Sequence, residues 1–132
     1  MEFHGVFNPQ RAKQLLLFEG VSSDGLGMTD IDGLIEYKDR ALIFYEIKGS
    51  GKAVPMGQRL ALQRLVKDAD RAGKLAIAVV AEHGVEDAEK PVFVKDCKVR
   101  EIYYGKEKAW RKPRKQLTAG EITDIVINMA KI

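Results

Sequence analysis

The sequence predicts an α/β fold, a mixed central sheet with helices packed on it. Three observations predict it. The run Ala41 to Lys48 is almost continuously apolar, as a buried strand is, and a short turn joins it to an extended segment ahead of it. A stretch with apolar residues at helical spacing separates that run from a second apolar one, Leu75 to Ala81. A strand–helix–strand crossover of this kind normally leaves its two strands parallel. Lastly, Thr118-Ala119-Gly120-Glu121 has the form of a capping box and opens a C-terminal helix.

The elements follow in order. Asn8 as cap and Pro9 in the first turn start a helix that runs to about Phe18 or Glu19 and stops at Gly20. Val21 to Gly27 is rich in Ser, Gly and Asp and reads as a loop. Thr29 to Tyr37 is extended, Lys38-Asp39-Arg40 is a turn, and Ala41 to Lys48 returns as the second arm of an antiparallel hairpin. After the loop Gly49-Ser50-Gly51-Lys52, a helix begins near Pro55, carries Leu60, Leu62, Leu65, Val66 and Ala69, and ends at Gly73. Leu75 to Ala81 is a strand, and Pro91 to Tyr104 holds one or two more. The last helix sets Ile122, Ile125, Val126 and Met129 on one side. The predicted order is α-β-β-α-β-(β)-α.

Residues 1–132 read as one domain, with a core over about 8–104, a basic arm over 106–116 and a C-terminal helix over about 118–131. The length is that of one ordinary domain, and 45% hydrophobic against 31% charged residues is enough apolar material for a core. This balance excludes predominant disorder, and no apolar stretch approaches the ~20 residues of a membrane span. No secretory leader is visible at Met1 to Gly5. The single Cys97 forms no internal disulfide, and one Cys with two His builds no structural zinc site. A cytoplasmic protein without membrane contact is expected. Net charge is +3, but Lys106, Lys108, Arg111, Lys112, Arg114 and Lys115 stand against Glu107 alone, a local +5. A cationic segment with Trp110 inside it suits a phosphate backbone and an unpaired base; Lys52 joins it as a candidate contact.

The chemistry concentrates in the hairpin. Glu46 and Lys48 leave the same face of a strand built for burial, with Ile47 on the other. Burying charge is costly unless it is paired or bound to metal. The first arm begins Thr29-Asp30-Ile31-Asp32-Gly33, and in an antiparallel hairpin that start lies beside the end of the second arm. Asp32 is therefore expected next to Glu46, with Lys48 close by and Asp30 as the alternative acid. Two carboxylates suit a hard divalent ion such as Mg²⁺, with the Ile47 carbonyl as a third ligand. Such an ion lowers the pKa of a bound water and stabilises charge on a phosphoryl oxygen. Lys48 would orient or deprotonate the attacking water, or neutralise the phosphorane. The expected reaction is metal-dependent phosphodiester hydrolysis.

Asp32 followed by Glu46-Ile47-Lys48 resembles the core of the PD-(D/E)XK nuclease superfamily. Lys48-Gly49-Ser50-Gly51 with Gln58-Arg59-Leu60 in the next helix is similar to its VRR-Nuc and phage-type, Holliday-junction-resolvase-like branch. The resemblance runs from about Asn8 to His83. It implies a restriction-endonuclease-like fold with an α-β-β-β-α-β core and a DNA nuclease using Mg²⁺, or Mn²⁺ in its place. The implied metal ligands are Asp32 and Glu46; Lys48 is the lysine, Gln58 the helix glutamine, and Glu19 matches the glutamate many members carry on the first helix. Ile31 stands where the family's Pro precedes the aspartate, and Asp30 duplicates the acid. The resemblance also implies a preference for branched DNA or a role in phage-encoded recombination, and pairing into a homodimer.

Two other classes fit less of the sequence. A catalytically silent DNA-binding subunit of a larger complex would keep the fold and the basic arm; a regulatory protein would touch no nucleic acid. Gly49 to Lys52 is no P-loop, because Glu46 takes the place of the motif's first Gly and Ala53 follows the Lys. His83 reads as a loop histidine, His4 has no context, and Cys97 reads as a packed residue.

Overall fold

A computed structural model describes residues 17, 19–24 and 29–132 of the chain. The helix predicted from Asn8 and the residue His4 lie outside the described residues. The architecture is α/β. A five-stranded mixed sheet has the order β1-β2-β3-β4-β5: β1 Gly33–Tyr37, β2 Ala41–Gly49, β3 Leu75–His83, β4 Lys98–Tyr104 and β5 Ala109–Arg111. Helix α1, Met56–Arg71, crosses from β2 to β3; helix α2, Ala119–Ala130, ends the fold. The β2/β3 pair is parallel and the other three pairings are antiparallel.

The hairpin forms where the turn predicts it. Lys38 (φ 46°) and Asp39 (φ 62°) are both left-handed, which matches the right-handed twist of the strands they join. Arg40 N donates to Tyr37 O, and Glu36 closes the turn by accepting from Asp39 N at 2.7 Å. Glu36 thus serves the hairpin tip, at the end of β1 away from Asp32.

The two faces of the sheet receive alternate residues of each strand. Ile43 and Tyr45 of β2, Ile77, Val79 and Ala81 of β3, and Val99 of β4 pack with Ile122 and Val126 of α2. Phe44, Ala76, Ala78 and Tyr103 pack on the opposite face under Leu62, Val66 and Ala69 of α1. These three α1 positions are spaced i, i+4, i+7, one stripe of a helix. The broader predicted stripe narrows accordingly, with Leu60 and Leu65 exposed. Gly105 ends β4 against α1, where an added Cβ would meet Asp70 Cβ at 3.0 Å and Val66 Cγ1 at 3.2 Å. The capping box at Thr118 is present in both halves.

The structure refines the predicted order at three points. Two strands, not the three of an α-β-β-β-α-β core, precede α1 among the described residues. The stretch from Pro91 to Tyr104 holds one strand, β4, within the one or two expected, preceded by a single 3-10 turn at Val94–Asp96. The basic segment contains a strand, β5, whose Trp110 pairs with Tyr103. Its three residues sit among cations, which mask a short strand pattern. No helix among the described residues is long and apolar enough to cross a membrane.

Candidate active site

The acidic lead-in to β1 and the end of β2 meet as the hairpin requires. Gly33 pairs with Tyr45, so Asp32 comes next to Glu46. Asp32 lies just ahead of β1 and continues the ladder with its side chain: Ile47 N donates to Asp32 Oδ2 at 2.7 Å. This bond fixes the Asp32 carboxylate beside Glu46. Gln58, in the first turn of α1, donates from Nε2 to the Asp30 carbonyl at 3.0 Å. Asp30 is therefore held by its main chain, while Asp32 reaches the site with its carboxylate.

Glu46 is 2% exposed, the one charged residue in the buried set among the described residues. Its Oε1 pairs with Lys48 Nζ at 3.2 Å, while its Oε2 is buried without a hydrogen-bond partner. Burial pushes the Glu46 carboxyl above its ordinary range; the nearby Asp32 charge pushes it further, and Lys48 opposes both. A strand that forces a carboxylate into such a place leaves one oxygen free to accept. Gln58 Oε1 is likewise buried and unpartnered.

These donors suit a divalent ion. Asp32 retains a second carboxylate oxygen, Glu46 presents an orphaned one, and both are hard anionic oxygens of the kind Mg²⁺ takes. Among the described residues there is no cluster of three or more His, Cys, Asp or Glu side chains arranged for a metal. The donor set is thus two carboxylates with main chain, compatible with an ion that keeps several of its waters. Ile47 sends its side chain to the apolar cluster under α2 and leaves only its main chain at the site.

A second group of charges on the α1 side escapes simple motif reading. Along one cross-strand row, Glu46 neighbours Val80, and Val80 neighbours Glu101. Glu101 accepts from Arg59 Nη2 at 2.5 Å. The Arg59 guanidinium lies 4.6 Å from the ring centre of Trp110, whose Nε1 donates to Gln63 Oε1 at 2.8 Å. Beside Lys48, Glu82 accepts from Arg100 Nη2 at 2.8 Å, and Arg100 Nη1 donates to the Lys52 carbonyl at 2.5 Å. Arg100 is the extra residue of a bulge where β4 slips against Val80 and Ala81. It fastens the β2–α1 loop, whose turn at Gly51 has φ +78°. The only signal in the sequence was Glu101 between Val99 and Ile102, a carboxylate inside a strand.

The remaining candidates are dispersed. Glu19 is exposed in a turn with Gly20. Arg59 lies over the Trp110 ring and Tyr103 packs against it with centroids 5.4 Å apart, and the half-buried ring also lines an open cleft with Arg111, Lys112 and Arg114. The basic arm lies along the β5 edge of the sheet, three strands from β2. Lys106 and Lys108 sit in the β4–β5 turn, where Gly105 N donates to Ala76 O, near the start of β3 and away from Glu46. Arg111, on the far edge, forms an ion pair with Glu107. Lys112 and Arg114 line an open cleft with Glu107, Trp110 and Arg111 at the β5 edge, and Lys112 also borders Leu75 and Ile77. Lys52 is exposed in the loop after β2. Cys97 is buried, and burial raises its thiol pKa, which suits packing and not attack. No protein-family model, curated protein or solved structure matches the chain.

Proposed function

We propose that this chain is a metal-dependent DNA nuclease of the PD-(D/E)XK type, with a restriction-endonuclease-like core and action on branched or duplex DNA without long sequence specificity. One observation carries the reading. A buried carboxylate, Glu46, has one oxygen paired to Lys48 and the other unpartnered beside Asp32. Such an arrangement costs stability unless a cation completes it.

In this reading Asp32 and Glu46, with the Ile47 carbonyl, hold Mg²⁺ or Mn²⁺. The ion, when bound, supplies Lewis acidity and a water of lowered pKa. Asp32 is kept in place by Ile47 N, so its reach does not depend on the ion. Lys48, on the same face as Glu46, orients the attacking water and offsets the charge that builds on the phosphoryl oxygens. The water gives a proton to solvent as its oxygen bonds to phosphorus, the ester bond to the leaving sugar oxygen breaks, and that oxygen takes up a proton from solvent. Gln58 ties the Asp30 carbonyl to α1 and so holds the lead-in that carries Asp32. Lys52, in the loop after β2, and Lys112, Arg114 and Lys115, past the β5 edge strand, supply backbone affinity that weakens with salt. Lys106 and Lys108, in the β4–β5 turn away from Glu46, contribute less.

The test is a cleavage panel of labelled single-stranded, duplex, flap and four-way-junction DNA with Mg²⁺, Mn²⁺ or chelator. Wild type is compared with Glu46→Gln and Lys48→Ala. Metal-dependent cutting that both variants lose is the expected result. Binding without cutting in any metal would leave a DNA-binding subunit instead.

A further inference from the structure

The chain between β3 and β4 has no part in the site described above, yet it walls a cleft of about 450 Å³ at the same end of the sheet. The volume falls in the range of pockets that take small ligands. The cleft begins where the site stops. Its wall includes Glu82, the register partner of Lys48, and Ser50, whose N–H donates to the His83 carbonyl at 2.9 Å. Val92 and Cys97 wall the cleft from the α2 side, so a strand at Lys48 reaches it by passing over the end of β2 and β3, where Ser50 and Glu82 lie.

Its chemistry selects a class of ligand. Phe93 is 60% exposed at its edge, and its backbone is fixed because its carbonyl accepts from Asp96 N at 3.0 Å. An aromatic ring in water on a rigid turn is a ready stacking surface. His83 Nδ1 accepts from Val85 N at 3.1 Å, which puts the ring proton on Nε2 as a donor. Asp96 and Glu82 add carboxylate acceptors, and the Arg100 hydrogen bond holds Glu82 below the usual carboxylate range, hence ionised. Lys98 lines the same wall and Arg100 offsets Glu82, so the lining carries no net positive charge to hold a phosphate. The carboxylate oxygens that are left accept hydrogen bonds from an exocyclic amino group, and Phe93 offers its face to a neutral ring.

Resting on the nuclease reading, we propose that this cleft binds one unpaired nucleobase of the DNA strand next to the reacting phosphate, stacked on Phe93. The site would then favour DNA with a single-stranded segment at the cut, such as a flap, over continuous duplex.

The experiment uses the full chain in chelator, so that no cutting intervenes. Affinity is measured for flap DNAs of both polarities, each with one 2-aminopurine beside the junction, and for duplex. Wild type is compared with Phe93→Ala and Phe93→Tyr, and circular dichroism confirms that each is folded. The expected result has four parts: wild type quenches the 2-aminopurine of one flap; Phe93→Ala loses the quenching; its flap affinity falls about tenfold with duplex affinity unchanged; and Phe93→Tyr restores both. Equal flap and duplex affinities in wild type, or a Phe93→Ala variant that keeps the flap preference, would overturn the base pocket. The nuclease reading would survive either result, provided metal-dependent cutting is observed. DNA binding unaffected by Phe93→Ala would also be the outcome if the cleft served an aromatic side chain of a protein partner. Absence of any nucleic-acid binding by wild type would overturn both proposals.

Discussion

The two faces of one sheet are built to different ends. Under α2, Ile43, Tyr45, Val79, Ala81 and Val99 meet Ile122 and Val126 in a continuous apolar layer. Under α1, the apolar layer is smaller, and beyond Phe44 and Ala78 the same strands turn to Glu46, Lys48, Glu82 and Glu101. Strand alternation separates these two tasks within single strands, since Tyr45 and Ile47 flank Glu46 but point the other way. One face can therefore carry unfavourable charge because the other supplies burial without polar cost. The comparison predicts that substitutions on the α1 face change activity more than stability, and that those on the α2 face do the reverse.

The largest effect expected is on the α1 face. Lys48→Ala should lower the cleavage rate by about 10²- to 10⁴-fold, the range for a positioned group that serves proton transfer or charge stabilisation. Single-turnover kinetics in Mg²⁺ measures it, and chemical denaturation should find the fold intact. A Lys48→Ala protein that cuts like wild type would remove this face from the chemistry.

On the α2 face, Ile43→Ala should cost about 2–5 kcal/mol, because Ile43 is fully buried and the cavity left behind collapses only in part. Urea unfolding measures it through a lower midpoint at unchanged slope. At temperatures where the variant is folded, its cleavage rate should be near that of wild type. A large rate loss in the folded variant would mean that the two faces are coupled.

How much of this division could be read beforehand depends on the element. Glu46 and Lys48 were legible because they are charges in an otherwise apolar run, and the hairpin turn put Asp32 beside them. The α2 helix was legible from its capping box. The division of labour between Asp30 and Asp32 was not: two acids at alternate positions look alike until Gln58 engages one by its carbonyl and Ile47 N engages the other by its carboxylate. Trp110 was legible only in part for a related reason. Its neighbours in sequence are cations, which also border it in space, whereas Tyr103, Gln63 and Arg59 reach it from β4 and α1. Pairing over such separations leaves no local mark, and neither does the bulge that aims Arg100 at Glu82.

The Arg59–Glu101 pair tests whether charge on the α1 face beyond Glu46 is structural. Both side chains are mostly buried, so Arg59→Met should cost about 2 kcal/mol by leaving Glu101 without its donor. Adding Glu101→Leu should return much of that loss, because the unpaired charge is gone. Thermal unfolding of the single and double variants measures the coupling. A double variant no more stable than Arg59→Met would mean that the loss came from packing on Trp110 and not from the stranded carboxylate.

The smallest effect tests the cost of the site itself. Burial raises the Glu46 carboxyl above its ordinary value near 4.5, so the folded protein favours the protonated form. The stability this group contributes is full below about 4.5 and is lost as pH rises through the higher folded value. Glutamine keeps the shape and stays neutral at every pH. Without divalent ions, Glu46→Gln should therefore stabilise the fold by about 1 kcal/mol at neutral pH, the low end for a buried unsatisfied group. The gain should vanish in acid, where the wild-type carboxyl is itself neutral. Mn²⁺ should reverse the order at neutral pH, raising the wild-type midpoint by mass action and leaving the glutamine variant unmoved. Calorimetric scans across pH, with and without the ion, read both effects. A glutamine variant that is less stable than wild type in chelator would mean that the Lys48 ion pair outweighs the desolvation of Glu46. The α1 face would then be as well settled as the other, and the contrast between the two faces would lose its energetic basis.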